Sequence, residues 1–322
     1  MDVTRWSRDE ARAAVAAPDL DRQLGVALGI AAVVVDLDDD PGEDLAAVLT
    51  ALPIVAIARG TAADPGWDVV VDDPEPVIDG VLAAPHAAVT ATQVLRGVED
   101  RTVGEGLLVE SLAYATLQGG PEFAAWLGRR GRRVRTDDRP RVRVEDLGDS
   151  VDVVLDRPRL RNLLDARMRD ELVEALRALS AGDPRPVALR GEGPAFCAGG
   201  DPAEFGTVSD PATAHLLRAS ANVAPWLHRI AERTTAFVHG PCVGAGVELA
   251  AFCGQVVADP DTRFRLPETR MGLLPGAGGT VSIPARIGRH RTLQWLLTDA
   301  EIGAGLAFDW GLVDQVEPRA RS

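Results

Sequence analysis

A mixed α/β fold in two unequal units is what this sequence predicts, and three observations predict it. Apolar β-branched runs alternate with helically spaced apolar residues along most of the chain. A length of 322 residues points to about two domains. Small-residue turns follow two of the expected strands, at residues 196–201 (FCAGGD) and 240–250 (GPCVGAGVELA). A third such segment lies at 266–280 (LPETRMGLLPGAGGT). Strands that end in such turns deliver them to one edge of a sheet, where α/β proteins place their sites.

Composition narrows the function classes. With 46% hydrophobic residues the chain can bury a full core, and with 4% aromatics Ala, Val and Leu must build most of it. A formal charge of −14 argues against nucleic acid as the partner and fits a solvated surface. All 34 basic residues are Arg. Without Lys there is no Schiff base, no pyridoxal-phosphate site and no Walker phosphate loop. Cys197, Cys242 and Cys253 form no C-x-x-C pair. An odd count of this kind, behind a charged N-terminus, leads us to expect a cytoplasmic protein with small-residue packing at its cysteines. No apolar run reaches the length of a membrane span, so no membrane partner is expected. His86, His215, His228, His239 and His290 show no metal-ligand spacing, and no metal is implied.

Taken in order, residues 1–21 read as a polar helix. Residues 26–35 read as a buried strand, 45–52 as a helix, and 54–58 and 68–72 as strands. These form a small α/β unit over 1–85, whose loops lack the glycine fingerprint of a dinucleotide site. Residues 86–140 are expected to be a helical segment followed by an Arg-rich linker. Helical periodicity covers 87–95 and 106–117, Pro121 opens a further helix, and Tyr114, Phe123 and Trp126 could share one apolar face. The run 129–143 reads as a solvated linker, with a phosphate-contacting patch as the sharper alternative. In the third segment, 141–322, strands are expected at 151–155, 186–189, 235–238, 255–258 and 263–265. Helices are expected at 163–179, 212–232, 247–253, 280–288, 291–298 and 302–309.

The turns bring backbone N–H groups close to whatever binds, and each of two segments adds a lone carboxylate, Glu248 and Glu268, beside an apolar run. Fixed N–H donors and two carboxylates suit chemistry on a carbonyl compound, with charge building on oxygen and protons moving nearby.

Residues 141–322 resemble the crotonase (enoyl-CoA hydratase/isomerase) superfamily. The resemblance runs from Arg157-Pro158 and Asn162 through the three small-residue motifs to residues 310–313 (WGLV). It implies a ββα spiral core with a crevice for an acyl-CoA thioester, usually assembled as trimers or dimers of trimers, so a homo-oligomer is expected. In the A-G-x-D motif the family's first oxyanion donor falls on Gly200, between Gly199 and Asp201. The second falls on Ala245, where many members carry Gly. The catalytic pair falls on Glu248 and Glu268, spaced as in hydratases. Ala198, Asp201, Gly244, Leu266 and Gly276 would then line the substrate, with Asp201 also suited to capping the turn that follows it. Coenzyme A enters only as part of the substrate, and no cofactor is implied.

On this basis the leading expectation is an enoyl-CoA hydratase. Alternatives are another reaction of the superfamily (isomerisation, thioester hydrolysis or a biosynthetic step) or a non-catalytic acyl-CoA-binding partner subunit. The family continues past its Gly-Leu-Val segment with a helical tail that covers the site. Here nine residues follow Val313, whereas residues 84–131 resemble that tail. The expectation is that the N-terminal half is a degenerate second crotonase unit whose tail packs on this core or on a neighbour's.

Overall fold

The computed structural model describes residues 1–37, 42–60, 66–130 and 139–319. Among these, three sheets carry the chain. The N-terminal sheet has the order β1-β2-β3-β4, all parallel, from Asp2–Ser7, Ile30–Asp36, Val55–Arg59 and Val69–Val71. Helices α1 (Arg8–Val15), α2 (Glu43–Leu49) and α3 (Glu75–Ala83) accompany it. Its central strands are buried almost without interruption, as parallel strands covered on both faces must be.

Residues 1–21 are not the single helix that their polarity suggests. Residues 2–7 pair with β2 as an edge strand, and the helix starts only at Arg8. The strand's opposite faces explain the change: Val3 packs on one core cluster and Trp6 on the other. Ser7 and Glu10 then form a reciprocal cap that fixes the helix start.

Three helices follow: α4 (Pro85–Arg96), α5 (Val103–Gln118) and α6 (Pro121–Arg130). Tyr114, Phe123 and Trp126 do share one apolar cluster, and Leu273 and Leu274 of the C-terminal half complete it. Most of the Arg-rich linker, 131–138, lies outside the described residues.

The C-terminal half is built on a six-stranded sheet of order β13-β10-β8-β7-β6-β5. Its strands are β5 (Val142–Asp146), β6 (Val151–Leu155), β7 (Val187–Gly191), β8 (Thr234–Val238), β10 (Gln255–Ala258) and β13 (Gln315–Val316). Only the β5–β6 pair is antiparallel. A small third sheet, β12-β11-β9, joins Ile302–Gly303, Arg263–Arg265 and Pro241–Val243. The helices are α7 (Ala166–Ser180), α8 (Pro211–Ser220), α9 (Ala224–Arg229), α10 (Ala245–Phe252), α11 (Gly279–Ile287), α12 (Arg289–Thr298) and α13 (Ala304–Trp310).

The long helix expected over 212–232 is broken between α8 and α9. Pro225 cannot donate within a continuing helix, and Asn222 instead accepts from the N–H of Ala224 to restart it. One apolar cluster runs through both halves, from Ala31, Ile57 and Val81 to Leu155, Phe264 and Leu297. Helix α3 meets α12 so closely that a methyl on Gly80 would lie within bonding distance of the Leu297 carbonyl. No helix among the described residues is long and apolar enough to cross a membrane.

Candidate active site

Hydrogen bonds fasten the first two glycine turns side by side. Val243 N–H donates to Cys197 O at 3.0 Å, a bridge that joins 196–201 to β9. The first turn is also tied to the segment after β6: Ala198 N–H donates to Arg161 O, Leu164 N–H to Gly199 O, and Asp201 N–H to Leu164 O. Asn162, fully buried, accepts from the N–H of Arg157 at 2.7 Å and donates to the carbonyls of Ala195 and Phe196. A buried ionic cluster braces the same turn. Arg157 bridges Asp201 (2.7 Å) and Asp165 (3.2 Å), and Asp165 also meets Arg141 (3.1 Å).

The second turn is tied to strand β11, since Gly244 N–H donates to Arg265 O at 2.9 Å. Three residues beyond Arg265 comes Glu268, so this tie sets the carboxyl beside the turn. Gly244 has φ +49°, and a methyl there would meet Glu268 Oε1. The backbone conformation requires glycine at this position, and a side chain there would also displace the Glu268 carboxyl. Helix α10 opens at Ala245, carries Glu248 in its first turn, and directs its positive end toward the same space.

A cavity of about 550 Å³ receives these parts. Its wall includes Ala198, Gly200, Asp201, Gly244, Ala245, Glu248, Glu268 and Gly276, eight of the nine residues expected from the sequence. Leu266, the ninth, is a correction. It is fully buried, belongs to the main core cluster, and is not on the wall. It follows the end of β11, and the next two residues, Pro267 and Glu268, face the cavity instead. Asp201 touches the cavity but is occupied: one oxygen accepts from the N–H of Ala203 and the other from Arg157. Its role is to hold the turn. Among the described residues, neither Gly200 N–H nor Ala245 N–H has a hydrogen-bond acceptor.

The two carboxyls are buried but differently served. Glu248 Oε2 accepts from the N–H groups of Ala277 (2.7 Å) and Gly279 (2.8 Å), where α11 begins. Burial pushes Glu248 up to about 7, and those backbone donors, with Gly276, pull it back toward the charged form. Glu268 Oε2 has no hydrogen-bond partner among the described residues. Burial, and then the negative charge of Glu248, raise Glu268 well above the usual carboxylate range. Of the two, Glu248 is therefore the carboxyl that ionises first as pH rises, with Glu268 holding its proton longer.

Helix α5 supplies residues that the sequence reading did not assign to the site. Tyr114, the chain's single tyrosine, and Gln118 line the cavity. Glu110, on the same helix stripe, accepts from the N–H groups of Gly278 (2.7 Å) and Thr280 (2.8 Å) and from the Thr280 hydroxyl (2.8 Å). Glu248 and Glu110 thus take alternate amides at one helix start. Burial, with the charge of Glu248, lifts Glu110 to about 8. The available signal was a carboxylate at i, i+4 from Tyr114 on an otherwise apolar helix face. His239, which stands just before the second turn, approaches Gly193 O and Arg319 instead of the cavity.

Comparison with known proteins points the same way. The family described as Enoyl-CoA hydratase/isomerase matches residues 149–321. The enoyl-CoA isomerase/hydratase fer4 of Mycosarcoma maydis is 32% identical over 176 residues, covering 52% of this chain and 64% of its own length. A probable enoyl-CoA hydratase of Rhodobacter capsulatus is 36% identical over 173 residues, with the same coverage of 52% and 64%. The chain therefore spans less than two thirds of the length of these relatives. Among solved structures, an enoyl-CoA hydratase subunit I from Geobacillus kaustophilus aligns with a TM-score of 0.51 at 34% identity, over 55% of this chain and 69% of that one. A putative enoyl-CoA hydratase from Thermobifida fusca, in complex with acetoacetyl-CoA, aligns with a TM-score of 0.50 at 27% identity, over 56% and 74%. Because the match covers more than half of the sequence and most of the segments that build the cavity, the chain belongs to the enoyl-CoA hydratase/isomerase family of the crotonase superfamily.

Proposed function

We propose that the protein adds water to a 2-enoyl-CoA thioester and, in reverse, dehydrates the 3-hydroxyacyl-CoA. The observation that carries this reading is the pair of buried carboxyls on one cavity, one anchored by backbone amides and one whose Oε2 has no hydrogen-bond partner among the described residues. The thioester oxygen would lie between the amides of Gly200 and Ala245, facing the positive end of α10. Each such donor is worth about 3 kcal/mol when aimed at a developing oxyanion. Ionised Glu248 takes a proton from water as its oxygen bonds to Cβ. The π electrons move onto the thioester oxygen as an enolate, and protonated Glu268 delivers its proton to Cα. Dehydration runs the same steps with the roles reversed. Coenzyme A is then part of the substrate, and no separate cofactor takes part.

Loss of the conjugated enoyl absorbance of crotonyl-CoA tests this. Glu248→Gln and Glu268→Gln should each lower kcat by about 10²–10⁴-fold while the fold is retained. Wild-type protein that leaves the absorbance unchanged would overturn hydration. The unpartnered Oε2 of Glu268 also favours a second reading, double-bond migration with that residue alone as the proton carrier. A 3-enoyl-CoA isomerised by Glu248→Gln but not by Glu268→Gln would select it.

A further inference from the structure

Part of the cavity wall comes from α5 and α8 rather than from the glycine turns, through Tyr114, Gln118, Ala214, Leu217 and Arg218. Arg218 is half-buried there, and its orientation is fixed. Its Nη1 donates to Gln118 Oε1 at 2.8 Å, Nη2 to Ser111 O at 3.2 Å, and Nε to Ser111 Oγ at 3.3 Å. Its guanidinium stacks on the Tyr114 ring, 4.4 Å from the centroid. All three acceptors are neutral. Among the described residues no carboxylate forms an ion pair with Arg218, whereas the buried Arg141 and Arg157 are both paired. Glu110 acts on it only through space, being engaged by Gly278 and Thr280.

A guanidinium carries five N–H donors, so these contacts leave one on each of Nη1 and Nη2. A cation partly withdrawn from water and facing a cavity, with its fork half used, fits a planar anion brought in by the ligand. Tyr114 stands between the two chemistries: its ring lies under Arg218, and it packs against Gly276 in the segment after Glu268.

We propose that Arg218, set by Gln118 and Ser111, receives a carboxylate at the far end of the acyl chain. The substrate class is then the CoA monothioesters of unsaturated dicarboxylic acids. This inference rests on the acyl-CoA reading above and names the acyl group that the same cavity takes. The one other anion such a ligand offers is a phosphate of its coenzyme A portion, and the two sources are separable.

The test is calorimetric binding of saturated thioesters, which are not turned over, so its outcome does not depend on hydration. Hexanedioyl-CoA and hexanoyl-CoA are titrated into wild-type protein and into Arg218→Met, which keeps the side-chain bulk without donors. The wild type should prefer the carboxyl-ended ligand by about tenfold or more, as expected for a charge-assisted hydrogen-bonded pair. Arg218→Met should lose that preference and retain its affinity for hexanoyl-CoA. A wild type without preference for the carboxyl-ended partner at every chain length from butanoyl to octanoyl overturns the proposal, whatever the variant does. Equal weakening of both ligands in Arg218→Met also overturns it and assigns the guanidinium to a coenzyme A phosphate.

Discussion

Glu248 and Glu268 share a cavity but not an environment, and under the proposed hydration that difference assigns one as base and the other as acid. Backbone donors at Ala277 and Gly279 support the charge on Glu248, while nothing described bonds Glu268 Oε2. Hydration requires the first ionised and the second protonated. The expected outcome is that kcat/KM for crotonyl-CoA rises as pH increases through about 7, where Glu248 loses its proton, and falls at higher pH as Glu268 ionises. A profile flat between about pH 6 and 8 would contradict these assignments. The pair was legible in sequence because its glycine turns and its spacing are local patterns. Leu266 lies off the cavity wall because it packs into the main core cluster, whose members are distant in sequence and show no local pattern.

At the scale of elements, α5 joins the two halves of the site. Its Glu110 closes the start of α11, the same start that holds Glu248. Glu110→Ala leaves buried amides at Gly278 and Thr280 without acceptors and should destabilise the protein by about 1–3 kcal/mol. It should also lower kcat, because the anchor of Glu248 loosens with it. Urea titration and crotonyl-CoA turnover check the two effects, and a variant unchanged in both would show that the α11 start stands without α5. Periodicity gave most helices to within a few residues. It failed at residues 2–7, where a polar edge strand mimics a helix, and across 212–232, where Pro225 interrupts an otherwise continuous pattern. Glu110 escaped notice because its partners lie 168 and 170 residues away.

For the molecule as a whole, the shared apolar cluster and the contact of Gly80 with Leu297 make the two halves one structural body. Calorimetry should therefore give a single cooperative transition. Two resolved transitions would refute the shared core. Stability should depend on pH in a stated direction. Glu110 rises from 4.5 to about 8 on folding, chiefly through burial, so the folded state holds the extra proton between those values. The contribution is complete below about 4.5, is lost as pH rises through about 8, and should leave a shallower slope in Glu110→Gln. The apolar cluster that joins the N-terminal sheet to the C-terminal core was not legible in the sequence, because it forms only when strands distant in sequence meet. The cavity is likewise shared, with its acids on one half and Tyr114 and Gln118 on the other. A change early in the gene can thus reshape one wall of the cavity while the two buried carboxyls on the other, more than a hundred codons later, stay as they are.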